Sequence, residues 1–202
     1  MIDMMEYTRK LSKDEINAMP LRRYEGTVHL VRSHDDFAQA LDYLRQEKVL
    51  GFDTETKPTF RKGKVNSPAL VQLACADRVF LLQLTWMPLP CELAALFSAQ
   101  GIVKAGVSVH DDMRDLCRLH PFQPAGVVDL GLVARARGIS TQGLRNLAAN
   151  FFGWRISKGM QCSNWSLQEL SEGQITYAAT DAWVGRLLYL RMAELGLMGG
   201  QE

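Results

Sequence analysis

The chain has 202 residues, of which 47% are hydrophobic and 22% charged. These values are typical of a folded globular protein and exclude a disordered chain. Because 23 Lys and Arg residues balance 22 Asp and Glu residues, the net charge is +1, and the overall field does not attract polyanions. Any contact with nucleic acid must come from a local basic patch. No apolar run approaches the roughly 20 residues of a transmembrane helix, so we expect a cytoplasmic protein without a membrane partner.

The first 26 residues are interpreted as an N-terminal arm, in which Ser12 and Glu15 have the spacing of a helix capping box. After the arm, strand-like and helix-like runs alternate. Two apolar runs flank Asp77 so closely that they predict an antiparallel hairpin. The predicted elements of this half are strands over 27–31, 49–54, 69–76 and 78–84, and a helix over 35–46.

The second half of the chain is richer in helices. Together with the hairpin, its crossover helices indicate a mixed β-sheet flanked by α-helices, an α/β domain that we assign to residues 27–202. Its predicted elements are strands over 102–107 and 126–129 and helices over 92–99, 110–119, 141–152, 167–170 and about 172–195.

Two acids, Asp53 and Glu55, lie at the end of the second predicted strand. They share one face of it, about 7 Å apart, because side chains alternate with a period of two. Two such carboxylates repel each other unless solvent or cations screen them, so one has a raised pKa or both hold a divalent metal. Taken alone, a pair of acids facing water at a strand end is the commoner arrangement.

A second pair, Tyr177 and Asp181, shares one face of the long C-terminal helix because four residues separate its members. None of the residues three or four positions from Asp181 is basic, so this carboxylate must find its partner elsewhere. The small residues around it allow the helix to pack closely on the sheet. An exposed aspartate beside a half-buried tyrosine is the simpler interpretation of this pair alone.

Asp111 and Asp112 begin the helix predicted after the strand over 102–107. Acids in a first helical turn also stabilise the helix dipole, so a structural and a functional role are both open here.

The order of these three features resembles that of the DEDDy 3′–5′ exonucleases, which have a ribonuclease H-like fold and belong to the DnaQ-like superfamily. The resemblance covers most of residues 27–195 and extends to the exonuclease domain of the Werner syndrome protein and to ribonuclease D. The stretches that match are residues 51–55, 69–73, 104–107 with Asp112 and Leu116, 128–130, 162–166 and 177–182.

This resemblance implies a metal-dependent enzyme that hydrolyses nucleic acid from the 3′ end and releases nucleoside 5′-monophosphates. It implies two divalent ions, Mg²⁺ or Mn²⁺, which stabilise the attacking and leaving oxygens. Family spacing selects Asp112 rather than Asp111, and Tyr177 is implied to orient the attacking water. The four implied metal ligands are Asp53, Glu55, Asp112 and Asp181.

A basic run over 57–64 follows the strand that carries Asp53. A solvated loop and a phosphate-binding loop are both open interpretations of this run, and the Phe60 ring could stack on a base. Lys158 lies four residues before Cys162, where the family often has a lysine near the substrate, although an ordinary surface lysine explains it equally well. The predicted substrate-binding residues are Phe60, Arg61, Lys62, Lys64 and Lys158.

Four further residues are given structural roles. Gln72 interrupts an apolar strand and should have buried hydrogen bonds. Trp154 and Trp165 are expected in the core, and Asp129 is expected to cap a helix or anchor the backbone.

Two alternatives to a general exonuclease remain open. One is a ribonuclease D-like enzyme that trims RNA 3′ ends, and the other is a non-catalytic nucleic-acid-binding module. The presence of all four carboxylates and the tyrosine favours an enzyme. The sequence does not distinguish DNA from RNA.

Overall fold

The computed structural model describes residues 5–59 and 66–199. Its six strands are β1 (Thr27–Val31), β2 (Val49–Thr56), β3 (Pro68–Ala74), β4 (Arg78–Gln83), β5 (Val103–Gly106) and β6 (Val127–Asp129). They form one sheet in the order β1-β4-β3-β2-β5-β6. β3 runs antiparallel to β2 and β4, and the remaining neighbours are parallel. The predicted mixed sheet and its hairpin are confirmed.

Helices lie on both faces of this sheet. They are α1 (Met5–Thr8), α2 (Lys13–Ala18), α3 (His34–Leu44), α4 (Cys91–Phe97), α5 (Val109–Leu119), α6 (Leu130–Ala136), α7 (Leu144–Phe152) and α8 (Glu172–Glu194). Within the ranges that the structure describes, no helix has the length and apolarity needed to span a membrane.

Alternation along β3 divides the core between the two faces. Val71 and Leu73 pack in a cluster with apolar residues of α3, α4 and α5, whereas Leu70 and Ala74 pack against α8. Every residue of β3 is buried, as expected for a central strand covered on both sides. A third apolar cluster joins α6, α7 and the last turns of α8.

Two glycines allow α8 to approach the sheet closely. A Cβ atom at Gly51 of β2 would lie 1.9 Å from the carbonyl oxygen of Ala182, and one at Gly185 of α8 would lie 2.9 Å from that of Ala105. Real Cβ atoms do not tolerate such contacts. The absence of side chains at Gly51 and Gly185 therefore allows the middle of α8 to lie close to both β2 and β5.

A buried lysine fastens β5 to the end of α4. The Lys104 ammonium group donates to the carbonyl oxygens of Leu96, Ala99 and Ile102, at 3.3, 2.8 and 2.7 Å. Burial lowers the pKa of Lys104 to about 8. Because its ammonium group is buried and all three acceptors are backbone carbonyls, this lysine has a structural role.

The N-terminal arm is a packed extension of the domain. The ring of Tyr7 stacks on Phe151 with 4.9 Å between centroids. Further along, Leu21 forms a β-bridge with Arg155, and the Arg22 amide donates to the carbonyl oxygen of Arg155 at 2.8 Å. Both ends of the arm are thus held against the residues around the end of α7.

Both sequence-based capping expectations agree with the structure. Ser12 and Glu15 form a complete capping box at the start of α2. Asp129 caps α6, since its carboxylate accepts hydrogen bonds from the amides of Gly131 and Leu132 at 2.9 and 3.2 Å.

Two helix predictions fail. α6 was missed because seven residues are too short to show a helical period clearly. The predicted helix over 167–170 is wrong, because these residues form no helix and the chain bends at Gln168 and Glu169. The side-chain amide of Gln83 in β4 donates to the backbone carbonyls of Leu167 and Gln168, at 3.3 and 3.2 Å. These carbonyls therefore bind the sheet and not the amides of a helix.

Candidate active site

Three acids from two elements converge on the α8 face of the sheet. Leu50 and Phe52 point into the α3–α5 core, so the alternation of β2 directs Asp53 and Glu55 toward α8. There Asp181 meets them: one carboxylate oxygen from each of the three lies within 4.8 Å of the others. Residues separated by more than 120 positions in sequence thus form a single acidic cluster.

Asp112 reaches the edge of this cluster from α5. Its Oδ1 accepts a hydrogen bond of 2.6 Å from the hydroxyl of Thr54, the residue between the two β2 acids. In contrast, Asp111 is exposed and pairs with Arg114 at 2.8 Å. The start of α5 is set by Ser108, whose φ of 63° is rare outside glycine. Sequence reasoning missed Thr54, and its place between the two acids was the available signal.

Packing these acids together raises the pKa of each. Burial, reinforced by the charges of Asp181 and Asp112, raises the pKa of Glu55 to about 8. Burial also raises the pKa of Asp181 to about 7 and that of Asp112 to about 6. The pKa of Asp53 lies well above its usual range, through burial and then the charges of the other three acids.

Two neighbouring groups partly counteract the raised pKa of Asp181. The Tyr177 hydroxyl is hydrogen bonded to its carboxylate, and the positive charge of Lys158 lowers its pKa. Lys158 lies with Asp53 and Tyr177 in a cavity of about 410 Å³. Lys158 therefore supplies the nearby positive charge that the residues three and four positions from Asp181 on α8 lack.

The carboxylates present fit a divalent-cation site. One buried oxygen of Asp181 has no hydrogen-bond partner among the described residues, and such an atom is costly unless a ligand satisfies it. Carboxylate oxygens are the ligands that Mg²⁺ and Mn²⁺ prefer. A bound cation would also offset the mutual repulsion of the four acids.

Comparison with known proteins identifies the family to which this chain belongs. A model of the 3′–5′ exonuclease domain matches residues 28–196. This chain belongs to the 3′–5′ exonuclease family. The resemblance drawn from the three sequence motifs is therefore confirmed.

Curated relatives of this chain include both proteins to which the motifs pointed. The mouse bifunctional 3′–5′ exonuclease/ATP-dependent helicase WRN is 33% identical over 159 residues, covering 76% of this chain and 11% of that protein. Ribonuclease D of Gluconacetobacter diazotrophicus is 30% identical over 169 residues, covering 82% of this chain and 42% of that protein. The chain therefore spans less than half the length of these two relatives.

Solved structures confirm the fold. The EXO domain of Aedes aegypti Nibbler superposes with a TM-score of 0.76 at 27% identity, covering 88% of this chain and 94% of that one. Trypanosoma brucei ribonuclease D, crystallised in complex with RNA U12, gives a TM-score of 0.74 at 20% identity, covering 88% and 64%. The ribonuclease H-like α/β fold of this chain is thus established.

The substrate-binding candidates divide between described and undescribed parts of the chain. Lys158 lines the cavity that holds the acids. Phe60, Arg61, Lys62 and Lys64 lie outside the described residues, and their role stays a prediction.

Gln72 does not have the hydrogen bonds expected of it. Its side chain is fully buried, and within the described ranges neither amide atom has a partner. Register places it directly opposite Asp53, on the face that α8 covers. The α8 residues packed on that face include Ala178 and Ala182, which carry no polar side-chain atoms. Sequence could mark Gln72 as buried but could not identify the residues facing it.

Two tryptophans confirm the packing prediction. Trp165 is fully buried and its ring lies 5.9 Å from that of Tyr177, so it supports the tyrosine beside the acids. Trp154 is half-buried and stacks on Trp183 at 5.7 Å.

The acidic cluster predicts that the stability of the metal-free protein depends on pH. Glu55 has a pKa of about 8 against an ordinary value of 4.5, so above pH 4.5 the folded state retains a proton that the unfolded chain releases. Its contribution to the free energy of unfolding is therefore greatest below pH 4.5 and falls as pH rises to 8. In chelator at pH 8, Glu55→Gln should raise Tm by about 3 °C or more, and by less at pH 5.

Thermal unfolding followed by circular dichroism measures this difference. Glu194→Gln, which alters an exposed acid at the end of α8, is the matched control and should show no such pH-dependent gain. A Glu55→Gln protein as stable as wild type at both pH values would contradict the burial and repulsion inferred for this carboxylate.

Proposed function

We propose that this protein removes nucleotides from the 3′ end of nucleic acid by divalent-metal-dependent hydrolysis, releasing nucleoside 5′-monophosphates. The observation that carries the proposal is the convergence of Asp53, Glu55 and Asp181 within 4.8 Å, with Tyr177 hydrogen bonded to the last of them. A binding module without catalysis has no use for buried carboxylates that repel one another, whereas a two-metal hydrolase requires them.

Asp53, Glu55, Asp112 and Asp181 are the proposed metal ligands, with Mg²⁺ or Mn²⁺ as the proposed ions. Such ions, when bound, lower the pKa of water and stabilise charge on the attacking and leaving oxygens. The protein holds its acids in position beforehand: the Thr54 hydroxyl fixes Asp112, and the close approach of α8 fixes Asp181. This preorganisation avoids reorganisation during the reaction.

Tyr177 is proposed to orient the attacking water. Burial and the adjacent carboxylates raise the pKa of its hydroxyl above its usual value, so the group stays protonated and does not serve as a base. Its ring is fixed by Trp165. Lys158, in the same cavity as the acids, is proposed to contact a substrate phosphate.

The proposed role of Tyr177 predicts a selective loss of turnover. Tyr177→Phe keeps the ring and deletes the hydroxyl, so kcat should fall by on the order of 10² while KM stays nearly constant, as for an interaction made in the transition state. Steady-state kinetics on a labelled oligonucleotide measure both constants. Tyr189→Phe, a half-buried tyrosine further along α8, is the control. Wild-type turnover in Tyr177→Phe would make the tyrosine a packing residue.

The activity itself is tested with 3′-recessed DNA, single-stranded DNA and RNA, each labelled at the 5′ end. With Mg²⁺ or Mn²⁺ we expect shortening by single nucleotides from the 3′ end, which a chelator stops. Preference for RNA would support the ribonuclease D-like alternative. Absence of shortening on all three substrates with both ions would overturn the proposal.

A further inference from the structure

A second cavity opens beside the proposed active site. It has a volume of about 350 Å³ and shares Tyr177 and Asp181 with the cavity that contains Lys158. One of its walls is residues 21–23, which we call the arm segment. This wall is held in place, since the Arg22 amide donates to the carbonyl of Arg155 at 2.8 Å and the Tyr24 amide to the Thr180 hydroxyl at 3.0 Å.

Apolar side chains in this cavity are unusually accessible. Leu21 on the arm segment is 53% exposed and Met160 on the loop before α8 is 36% exposed, and both line the cavity. Large apolar side chains gathered at the mouth of a polar active site indicate a ligand with apolar surface. The faces of nucleobases provide such a surface.

Positive charge accompanies these apolar side chains. Arg22 and Arg23 are exposed on the arm segment and line the same cavity. Arg23 pairs at 3.7 Å with the exposed Glu25, and an exposed pair of this kind is weak enough to be exchanged for a phosphate. The same cavity is lined by two acids, the exposed Glu172 and the buried Asp181 of the proposed active site, so the excess of positive charge is confined to the arm segment.

The arm segment also borders a third cavity, of about 580 Å³, that extends the surface away from the acids. Trp154 and Trp183 line it, and their rings are parallel within 10° and 5.7 Å apart. Both rings are half-buried. Because Trp154 lies between Phe152 and Trp183, at 5.1 and 5.7 Å, only the exposed parts of these two rings are open to a ligand beside the arginines. Aromatic surface next to arginines is a usual means of binding single-stranded nucleic acid without sequence preference.

The arm segment lies outside the exonuclease match, which begins at residue 28. We propose that this segment and the two cavities it borders bind the single strand on the 5′ side of the bond that is hydrolysed. Arg22 and Arg23 contact its phosphates, and Leu21, Met160 and the two tryptophans contact its bases. This inference rests on the proposed function, because the bound strand must lead away from a 3′ end held at Tyr177 and Asp181.

Binding is measured by fluorescence anisotropy in an Asp53→Asn background, so that no hydrolysis occurs. The probes are dT₂, dT₈ and the RNA U₈, each labelled at the 5′ end. Arg22→Ala/Arg23→Ala should weaken binding of dT₈ and U₈ about tenfold and that of dT₂ much less. The slope of log Kd against log salt should fall by about 1.4, since each phosphate contact on a single strand contributes about 0.7. The matched control is Lys10→Ala/Lys13→Ala, which removes the same charge from exposed arm residues outside these cavities.

Equal binding of dT₈ and U₈ by wild type and the arginine variant would overturn the proposal, as would equal weakening by the lysine control. A difference in Kd between dT₈ and U₈ would identify which nucleic acid the arm segment and its two cavities prefer. Hydrolysis gives the second readout. The substrates are dT₈ and the p-nitrophenyl ester of thymidine 5′-monophosphate. The ratio of kcat/KM on dT₈ to kcat/KM on the ester should be about tenfold lower in the arginine variant than in wild type. An equal loss of kcat/KM on both substrates would place the defect in the active site and overturn the proposal.

These two readouts separate the inference from the proposed function. If the wild-type protein hydrolysed neither the ester nor the oligonucleotides, the proposed function would fail. The binding experiment would still decide whether the arm segment contacts a single strand.

Discussion

Asp53→Asn is expected to lower kcat by on the order of 10³ or more, because it removes the negative charge of a proposed metal ligand at the centre of the acidic cluster. Asp53 is the acid whose pKa is raised by all three of the others, Asp112, Asp181 and Glu55, so no neighbouring carboxylate can replace it. Asparagine preserves the shape of the side chain, and the fold should survive. The measurement is the rate of 3′ shortening of a labelled oligonucleotide.

Metal binding provides a second measurement on the same variant. A ligand that binds only the folded state stabilises it by an amount that grows with the logarithm of the ligand concentration divided by Kd, so wild type should gain stability as Mn²⁺ is added and Asp53→Asn should gain much less. Asp42→Asn, on the exposed side of α3, is the control and should behave as wild type in both assays. Undiminished nuclease activity of purified Asp53→Asn would refute the proposed site.

The next largest effect on kcat is expected at Asp112. Its neighbour on α5, Asp111, is expected to have little effect. Asp112→Asn should lower kcat by on the order of 10² or more, since this carboxylate binds Thr54 at the edge of the cluster. Asp111→Asn should change kcat less than about twofold, because it loses only an exposed pair with Arg114.

Each variant serves as the other's control, as both remove one charge from the same helical turn. Single-turnover rates compare their chemistry, and circular dichroism compares their folding. The opposite ranking would show that the start of α5 is rotated by one residue relative to the structure.

Much of the active site was predictable because its geometry is local. The period of two along β2 places Asp53 and Glu55 on one face whatever surrounds the strand, and the four-residue spacing places Tyr177 and Asp181 on one face of α8. The capping box at Ser12 and the Asp129 cap are equally local, since each involves residues at most three apart. Family membership followed from the order of these motifs.

Other features depended on contacts between residues far apart in sequence. The region over 167–170 reads as a helix, yet its carbonyls bind the Gln83 side chain, more than 80 residues away. Gln72 was identified as buried, but its lack of partners depends on the alanines that α8 places above it.

The sequence by itself determined which residues carry the chemistry, because strand and helix periods act over a few residues. Only the tertiary structure decided how far those residues stand from one another and what their pKa values become. Gly51 and Gly185 allow the close approach of α8 to β2 and β5, and that approach brings the three carboxylates together, with Asp181 buried and Asp53 and Glu55 partly buried. The tertiary structure also places the arm beside the proposed active site, because the Tyr24 amide donates to the hydroxyl of Thr180, a residue 156 positions away in sequence. Electrostatic shifts and cavity walls arise from such long-range packing, which no local pattern encodes.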